Sequence, residues 1–481
     1  MRPAPLVLRL LRQRGFIIQE VFMKKLICIL LSAVMILGLA GCGAGGTNSG
    51  NAADPKPSGG YQLSSLKLPA TVSYPNEESF FKNGNYDSEA AQKAWKKWNS
   101  QSEAKKLLAA SYDGKLDHYL SLSAEYLKGM DGKNVLCSPI NIYFALAMLA
   151  ECCGGNSRTE ILNVLGAADI EELRTVTKAL WEQTYYAADS YTAELASSLW
   201  MNNDINGITP DFDKDTLAAL AMYYYATAYS GKATDKGFSA EFKDWLNEHT
   251  GGLLKEHVES LEDFTEDLVV AIASTVYFKG AWMEEFNKAD TSDDVFHAVS
   301  GDRNVQFMHK NESYRVLRAD DLTAVFIPFA AVGGMWIILP DEGITPEQLN
   351  ADRKIINIIK DADLKDGSAE NVNLSLPKFD VDAKLDLVEI LDRMGIQSVF
   401  HEGADLSGII KNVSAHVTDA THAARVKIDE EGCEAAAFTV IIAKADGMGP
   451  LPIEFKVDRP FAFAITGSDG LPLFTGIVNE P

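Results

Sequence analysis

Catalytic signatures are what this sequence most plainly lacks. No nucleophile elbow, no HExxH, no phosphate-cradling GxxxxGK[ST] and no paired-cysteine zinc pattern occurs in its 481 residues. The eight histidines are scattered, and His249 and His257 are spaced wrongly for two ligands on one helix face, so neither a metal nor a cofactor is expected. Adjacent acids such as Glu284-Glu285 and Asp293-Asp294 are not placed across a substrate by being neighbours. An enzyme is therefore not expected. Basic charge is also short: 44 Lys and Arg stand against 67 Asp and Glu, a net charge of −23. Such a surface repels phosphate backbones and argues against nucleic acid as a partner. Six cysteines are too few for a disulfide framework in a chain of this length. The apolar run Leu26 to Ala40 falls short of the roughly 20 residues that a membrane-spanning helix needs.

That run is nevertheless informative. It comes after Lys24-Lys25 and ends in Leu39-Ala40-Gly41-Cys42, which is the layout of a secretory signal closing on a bacterial lipobox. Residues 1–41 read as a leader, with Cys42 as the lipidation site and the product anchored to the outer face of a bacterial cell membrane or released outside the cell. Met23 is the expected true start, because Gln19-Glu20-Val21 can be encoded by a purine-rich ribosome-binding sequence just upstream of it. Residues 42–60, rich in Gly, Ser, Asn and Pro, cannot bury enough apolar surface to order and read as a tether. Residues 61–110 form an N-terminal extension with a helix expected over Ser88 to Ala110. Its Trp95 and Trp98 either pack on the domain C-terminal to them or touch lipid.

From residue 111 to 481 helical and strand patterns mix without a linker-like break, which predicts one α+β domain on a large sheet. Helices are expected at Lys115 to Lys128, Ile140 to Cys153, Ser157 to Leu165, Phe238 to Glu248 and Leu385 to Met394. Strands are expected at Leu195 to Met201, Leu268 to Lys279, Ala324 to Phe329, Met335 to Leu339, Asn371 to Leu376 and His416 to Ile428. One stretch resists this scheme. Lys427 to Pro452 ends in a Gly/Pro-rich tip suited to a surface loop, yet its first half, through Ala435-Ala436-Ala437 and Phe438 to Ile442, is more apolar and strand-prone than a solvated loop requires.

Several segments resemble the serpin family, in serpin order. They are NVLCSPINIYFALAMLAECCGGNSRTEILNVLG (Asn134 to Gly166), TVYFKGAWMEEF (Thr275 to Phe286), LPKFDVDAKLDLVEILDRMGIQSVF (Leu376 to Phe400), ADLSGI (Ala404 to Ile409), KIDEEGCEAAAFT from Lys427, and the C-terminal RPFAFAI and LFTGIVNEP. The resemblance implies three β-sheets, about nine helices and an exposed reactive-centre loop offered to a protease. It further implies a suicide-substrate inhibitor: the cleaved loop inserts into the main sheet while the protease is still held as an acyl-enzyme. The alternative is a non-inhibitory serpin-fold binding or structural protein at the cell surface. A monomer is expected in either case.

By this resemblance the hinge comprises Glu430, Gly432, Cys433, Glu434, Ala435, Ala436 and Ala437. An inserted strand has a period of two, so Cys433, Ala435, Ala437, Thr439 and Ile441 would face inward and Glu434 would stay in water. The cluster that controls sheet opening would comprise Ser138, Asn141, Ser274 and His422, with Trp282 where insertion begins. Asn141 and Ser274 stand where the family has serine and asparagine, which reads as a reciprocal exchange that keeps the buried polar groups satisfied. Counting along the loop places the scissile bond among Ala445, Asp446, Gly447, Met448 and Gly449. Met448 favours an elastase- or chymotrypsin-like serine protease as target.

Overall fold

The computed structural model describes residues 60–63, 66–72, 74–82, 85–112, 117–128, 132–188, 191–361, 368–433 and 451–481. The leader, Cys42 and most of the tether lie outside these residues, as do Glu434, Ala435, Ala436, Ala437 and the scissile-bond candidates from Ala445 to Gly449. The helices that matter below are α1 (Ser88–Ser111), α2 (Asp117–Tyr126), α3 (Pro139–Cys152), α4 (Gly155–Leu165), α5 (Ile170–Thr184), α6 (Lys214–Tyr223), α7 (Lys236–Glu248) and α8 (Lys255–Glu259). Three further short α-helices bring the count among the described residues to eleven. One of them, Val388–Met394, starts later than the expected Leu385, because Leu385 and Asp386 continue a strand. Asp386 then accepts the Val388 N–H and starts the helix there.

Two large sheets carry the domain. The seven-stranded one consists of β1 (Tyr186–Ala188), β2 (Tyr191–Asn202), β3 (Ala226–Gly231), β4 (Val270–Ala281), β5 (Phe379–Asp386), β6 (Thr421–Ile428) and β7 (Gly432–Cys433). Its order is β5-β6-β7-β4-β2-β1, all antiparallel, with β3 parallel to β2. The other sheet has nine strands, and Gly301–Ala319 is long enough to pair with Ser292–Ala298, Ser368–Pro377 and Leu322–Pro328 in succession. That strand joins layers that the resemblance counts as separate sheets. A two-stranded ribbon, Phe81–Lys82 with Asn85–Tyr86, is the remaining sheet.

Between the layers runs α3. Ser138 caps it, Pro139 supplies the fixed φ of a first helical turn, and the apolar run beyond Pro139 is buried almost throughout. Cys137, Cys152 and Cys153 are buried, no disulfide links any cysteines among the described residues, and burial pushes the Cys137 and Cys153 thiols up to about 12. They are inert at neutral pH.

The N-terminal extension lies against this domain. Residues 61–63 cover the edge of β3 through the Ser230 N–H to Tyr61 O bond (2.9 Å) and the Leu63 N–H to Ala228 O bond (2.9 Å). Along α1, Ala91, Trp98 and Lys105 are buried seven residues apart, a single stripe on one face. Lys105 is only 7% exposed. Its ammonium donates to the carbonyls of Glu182, Gln183 and Tyr185 at 2.8, 2.7 and 2.9 Å, and lies 3.9 Å from the centre of the Tyr186 ring. Those carbonyls belong to the end of α5, where a helix leaves acceptors unused and favours a cation. Burial pulls Lys105 down to about 7, while Asp469 and Glu182 pull the other way. Lys105→Met keeps the apolar stem and strands the carbonyls. The expected loss is about 2 kcal/mol, read from the urea unfolding midpoint at constant slope.

Candidate functional site

The site is built where β6 reverses into β7. Asp429, Glu430, Glu431 and Gly432 make the turn, closed by the Asp429 N–H to Gly432 O bond (3.0 Å) and the Gly432 N–H to Asp429 O bond (3.3 Å). Beyond it Cys433 pairs with Ile428 of β6 on one side and Gly280 of β4 on the other. Among the described residues β4 and β6 do not pair with each other; both pair with β7. Cys433 is buried, and with Val276, Phe278, Val426 and Phe474 it lines a small enclosed hollow between the two strands.

The turn is held by the segment after β4. The Trp282 indole donates to Asp429 O (3.0 Å), the Trp282 amide to Glu431 O (3.0 Å) and the Phe286 amide to Glu430 O (2.9 Å). Three successive hinge carbonyls are thus occupied by one five-residue stretch. Trp282 is buried and stacks on Phe329 with centroids 5.2 Å apart, so its ring cannot swing away without opening the core.

Side chains fix the turn as well. Glu430 is 5% exposed, with Lys378 Nζ at 2.9 Å from Oε2 and the Thr291 hydroxyl donating to Oε1 at 2.9 Å. Burial would raise its pKa; the hydrogen bonds from Lys378, its own backbone and Thr291 prevail and hold it below the usual carboxylate range. A buried carboxylate needs such partners. Glu431 pairs with Lys288 at 2.5 Å on the exposed side.

Lower in the sheet, the Ser138 N–H donates to His422 Nε2 (2.9 Å) and the Ser138 hydroxyl to Leu473 O (2.7 Å). This joins β6, the start of α3 and the nine-stranded sheet. Burial drives the His422 ring down to about 4. The exchange at the other two positions does not balance. Asn141 Oδ1 is buried with no partner, and no hydrogen bond joins it to Ser274, which lies on β4 opposite Ser197. A serine on β4 is shorter than the amide it replaces, so the amide on α3 gains nothing in return.

The loop's far end is also placed. Leu451 is 92% exposed, and Ile453–Lys456 then pairs in parallel with Ser368–Pro377 at the edge of the nine-stranded sheet. The segment 434–450 therefore leaves from one sheet and returns on the other.

A family model described as Serpin (serine protease inhibitor) matches residues 117–481. The chain belongs to the serpin family. This serpin is 29% identical over 385 residues to Antichymotrypsin-2 of Bombyx mori, with 74% of the chain and 94% of the relative covered. It is 28% identical over 367 residues to a serine protease inhibitor of Cyanea capillata, with 73% and 93% covered. Among solved structures it is similar to the thermophilic serpin Tengpin in its native state, with a TM-score of 0.67, 25% identity and coverage of 76% and 93%. Human thyroxine-binding globulin matches in fold, with a TM-score of 0.66, 22% identity and coverage of 78% and 99%. The family's description is that of an inhibitor, not a catalyst.

Of the residues singled out in this serpin's sequence, the structure brings Glu430, Gly432, Cys433 and Trp282 together at the turn. Ser138 and His422 meet in one hydrogen bond. No hydrogen bond joins Asn141 Oδ1 to Ser274. Sequence reasoning missed Lys378, Thr291, Lys288 and Phe286. Lys378 and Phe286 sit inside the quoted motifs LPKFDVD and TVYFKGAWMEEF, so only the pairing was hidden; Thr291 and Lys288 carry no pattern at all.

Proposed function

We propose that this serpin inhibits a serine protease by the suicide-substrate route: the protease cleaves within Ala445 to Gly449 and is trapped as an acyl-enzyme when the loop enters the seven-stranded sheet. The observation that supports it is the state of the hinge. Gly432–Cys433 already pairs with both β6 and β4, which do not pair with each other among the described residues. Strand addition at that point needs no new opening of the ladder at its upper end. Cys433 is buried there, and on an inserted strand that parity would keep Glu434 in water. The chain is exported and held at the membrane through lipid on Cys42. Its target is elastase- or chymotrypsin-like, with Met448 at the bond.

Incubation with chymotrypsin and with pancreatic elastase is expected to give an SDS-stable band at the summed mass, together with a released C-terminal peptide beginning within residues 446–450. Clean cleavage with no stable band, and no rise in thermal stability afterwards, would replace this reading with a non-inhibitory binding protein of the same fold.

A further inference from the structure

The charge of this chain is divided unevenly along its length. Residues 113–481 hold 30 Lys and Arg against 60 Asp and Glu, a balance of −30, whereas residues 61–112 hold seven Lys against five Asp and Glu, a balance of +2. The basic excess is concentrated on one element. On α1 the buried stripe of Ala91, Trp98 and Lys105 faces the domain, and at about 100° per residue Lys93, Lys96 and Lys97 fall on the opposite face. All three are exposed, and none has a side-chain partner among the described residues. Of the acids beside them, Glu103 is already paired with Lys106 (3.0 Å), and Glu89 sits in the first turn, where the helix dipole favours it.

The outward face is not purely polar. Leu107 is 74% exposed, and with Tyr86, Trp95 and Lys96 it lines an open hollow that runs along the helix. Phe81, also exposed, extends this strip through Tyr86, the ring centroids being 5.2 Å apart. The two tryptophans of α1 divide between the faces: Trp98 is buried against Tyr186 at 6.0 Å, and Trp95 is half-buried at the rim of the hollow. Lysines interleaved with exposed rings and a leucine suit a layer of anionic headgroups, where ammoniums meet the charge and the apolar groups reach just below it. We propose that the outward face of α1, with the ribbon Phe81–Lys82 and Asn85–Tyr86, is a docking surface for an anionic lipid bilayer. This deepens the proposed function and rests on its anchoring through Cys42 for proximity. Tyr61 is 19 residues beyond Cys42, a stretch that spans at most about 65 Å when fully extended, so an anchored chain keeps α1 within reach of the bilayer. The −30 of the domain is repelled by the same lipid, which turns α1 and not the sheets towards it.

The test uses the full chain, exported and lipidated in a bacterial host and reconstituted in phosphatidylcholine vesicles with or without phosphatidylserine, all carrying a nitroxide-labelled lipid as quencher. A fluorophore is attached at Leu107→Cys on α1 or, as control, at Val299→Cys, an exposed hairpin tip of the nine-stranded sheet; the cysteines among the described residues are buried and do not compete. In phosphatidylserine vesicles at low salt the Leu107→Cys label is expected to be quenched roughly twofold or more above the control, and the excess is lost at high salt. Lys93→Gln, Lys96→Gln and Lys97→Gln together are expected to weaken surface association about 100-fold, or ~fivefold per lysine, and to remove the quenching. The same three positions as arginine keep it. Equal quenching at the two labels, none in anionic vesicles, or quenching that survives the three glutamine changes would overturn the docking surface. A fluorescence change that follows protein concentration and not lipid would give the face to a second copy of the chain, and overturns it as well. The mass of the peptide carrying Cys42 is read in the same samples. An unlipidated Cys42 removes the anchoring reading, and quenching by anionic vesicles added in excess then decides the docking surface by itself.

Discussion

Gly432→Ala is expected to destabilise the protein by about 3 kcal/mol or more and to abolish the SDS-stable complex with chymotrypsin. The residue has φ of +148°, a region that side chains rarely adopt. A Cβ would stand 2.2 Å from Gly280 O and 2.9 Å from Ala281 Cα, both backbone atoms of β4. No rotamer change relieves a clash with backbone, so either β7 leaves β4 or the turn deforms. If β7 leaves, the pairing of Cys433 with Gly280 is lost and the loop has no seeded strand from which to zip. If the turn deforms, the bonds from Trp282 and Phe286 to carbonyls 429 to 431 break together, because one short stretch makes all three. The measurements are the urea midpoint and a gel of the protease mixture. An alanine variant with wild-type midpoint and full complex formation would mean that the hinge does not depend on this approach.

Much of this was legible in the residues alone, and the reasons differ by element. The buried helix α3 was readable from an apolar run after Ser-Pro, because helix caps and burial are local properties of sequence. The insertion parity proposed for the loop is read from the position of Glu434 in an apolar stretch, and Glu434 lies outside the described residues. What could not be read were contacts between distant segments. Lys105 looked like one of several lysines on a charged helix, and only the packing of α1 on α5 shows its ammonium serving three carbonyls. The Leu385 start failed because strand pairing of β5 with β6 continues to Asp386, and tertiary pairing overrides a helical pattern. The balance expected between Asn141 and Ser274 is not seen, since Asn141 Oδ1 has no partner among the described residues; a residue exchange can be read from sequence, but the partners each side chain finds cannot.

Acid is expected to weaken the fold through His422, by about 3 kcal/mol between pH 6.5 and pH 4. The ring sits on β6, fully buried, and Nε2 accepts the Ser138 N–H at 2.9 Å, which requires the neutral ring with its proton on Nδ1. Burial lowers its folded pKa to about 4, against 6.5 when exposed. Above pH 6.5 neither the folded nor the unfolded chain protonates the ring, so the contribution is fully present. Below 6.5 the unfolded chain takes up a proton that the folded chain refuses, and stability declines by up to ~1.4 kcal/mol per pH unit until the folded pKa is reached. Carboxylates such as Glu430 also lose stability in acid, so the informative quantity is the difference from His422→Gln, whose carbonyl can accept the same N–H without titrating. That difference should shrink steadily from pH 6.5 to 4 in urea unfolding series; parallel curves would show that His422 does not carry the acid sensitivity. Because the same bond ties β6 to the start of α3, its loss frees one wall of the gap where β7 sits. The folded ring takes up its proton only near pH 4, so annealing of a synthetic peptide of sequence Glu434 to Ile442 should stay flat from pH 6.5, accelerate in the wild type as pH falls through about 4, and stay flat throughout in His422→Gln.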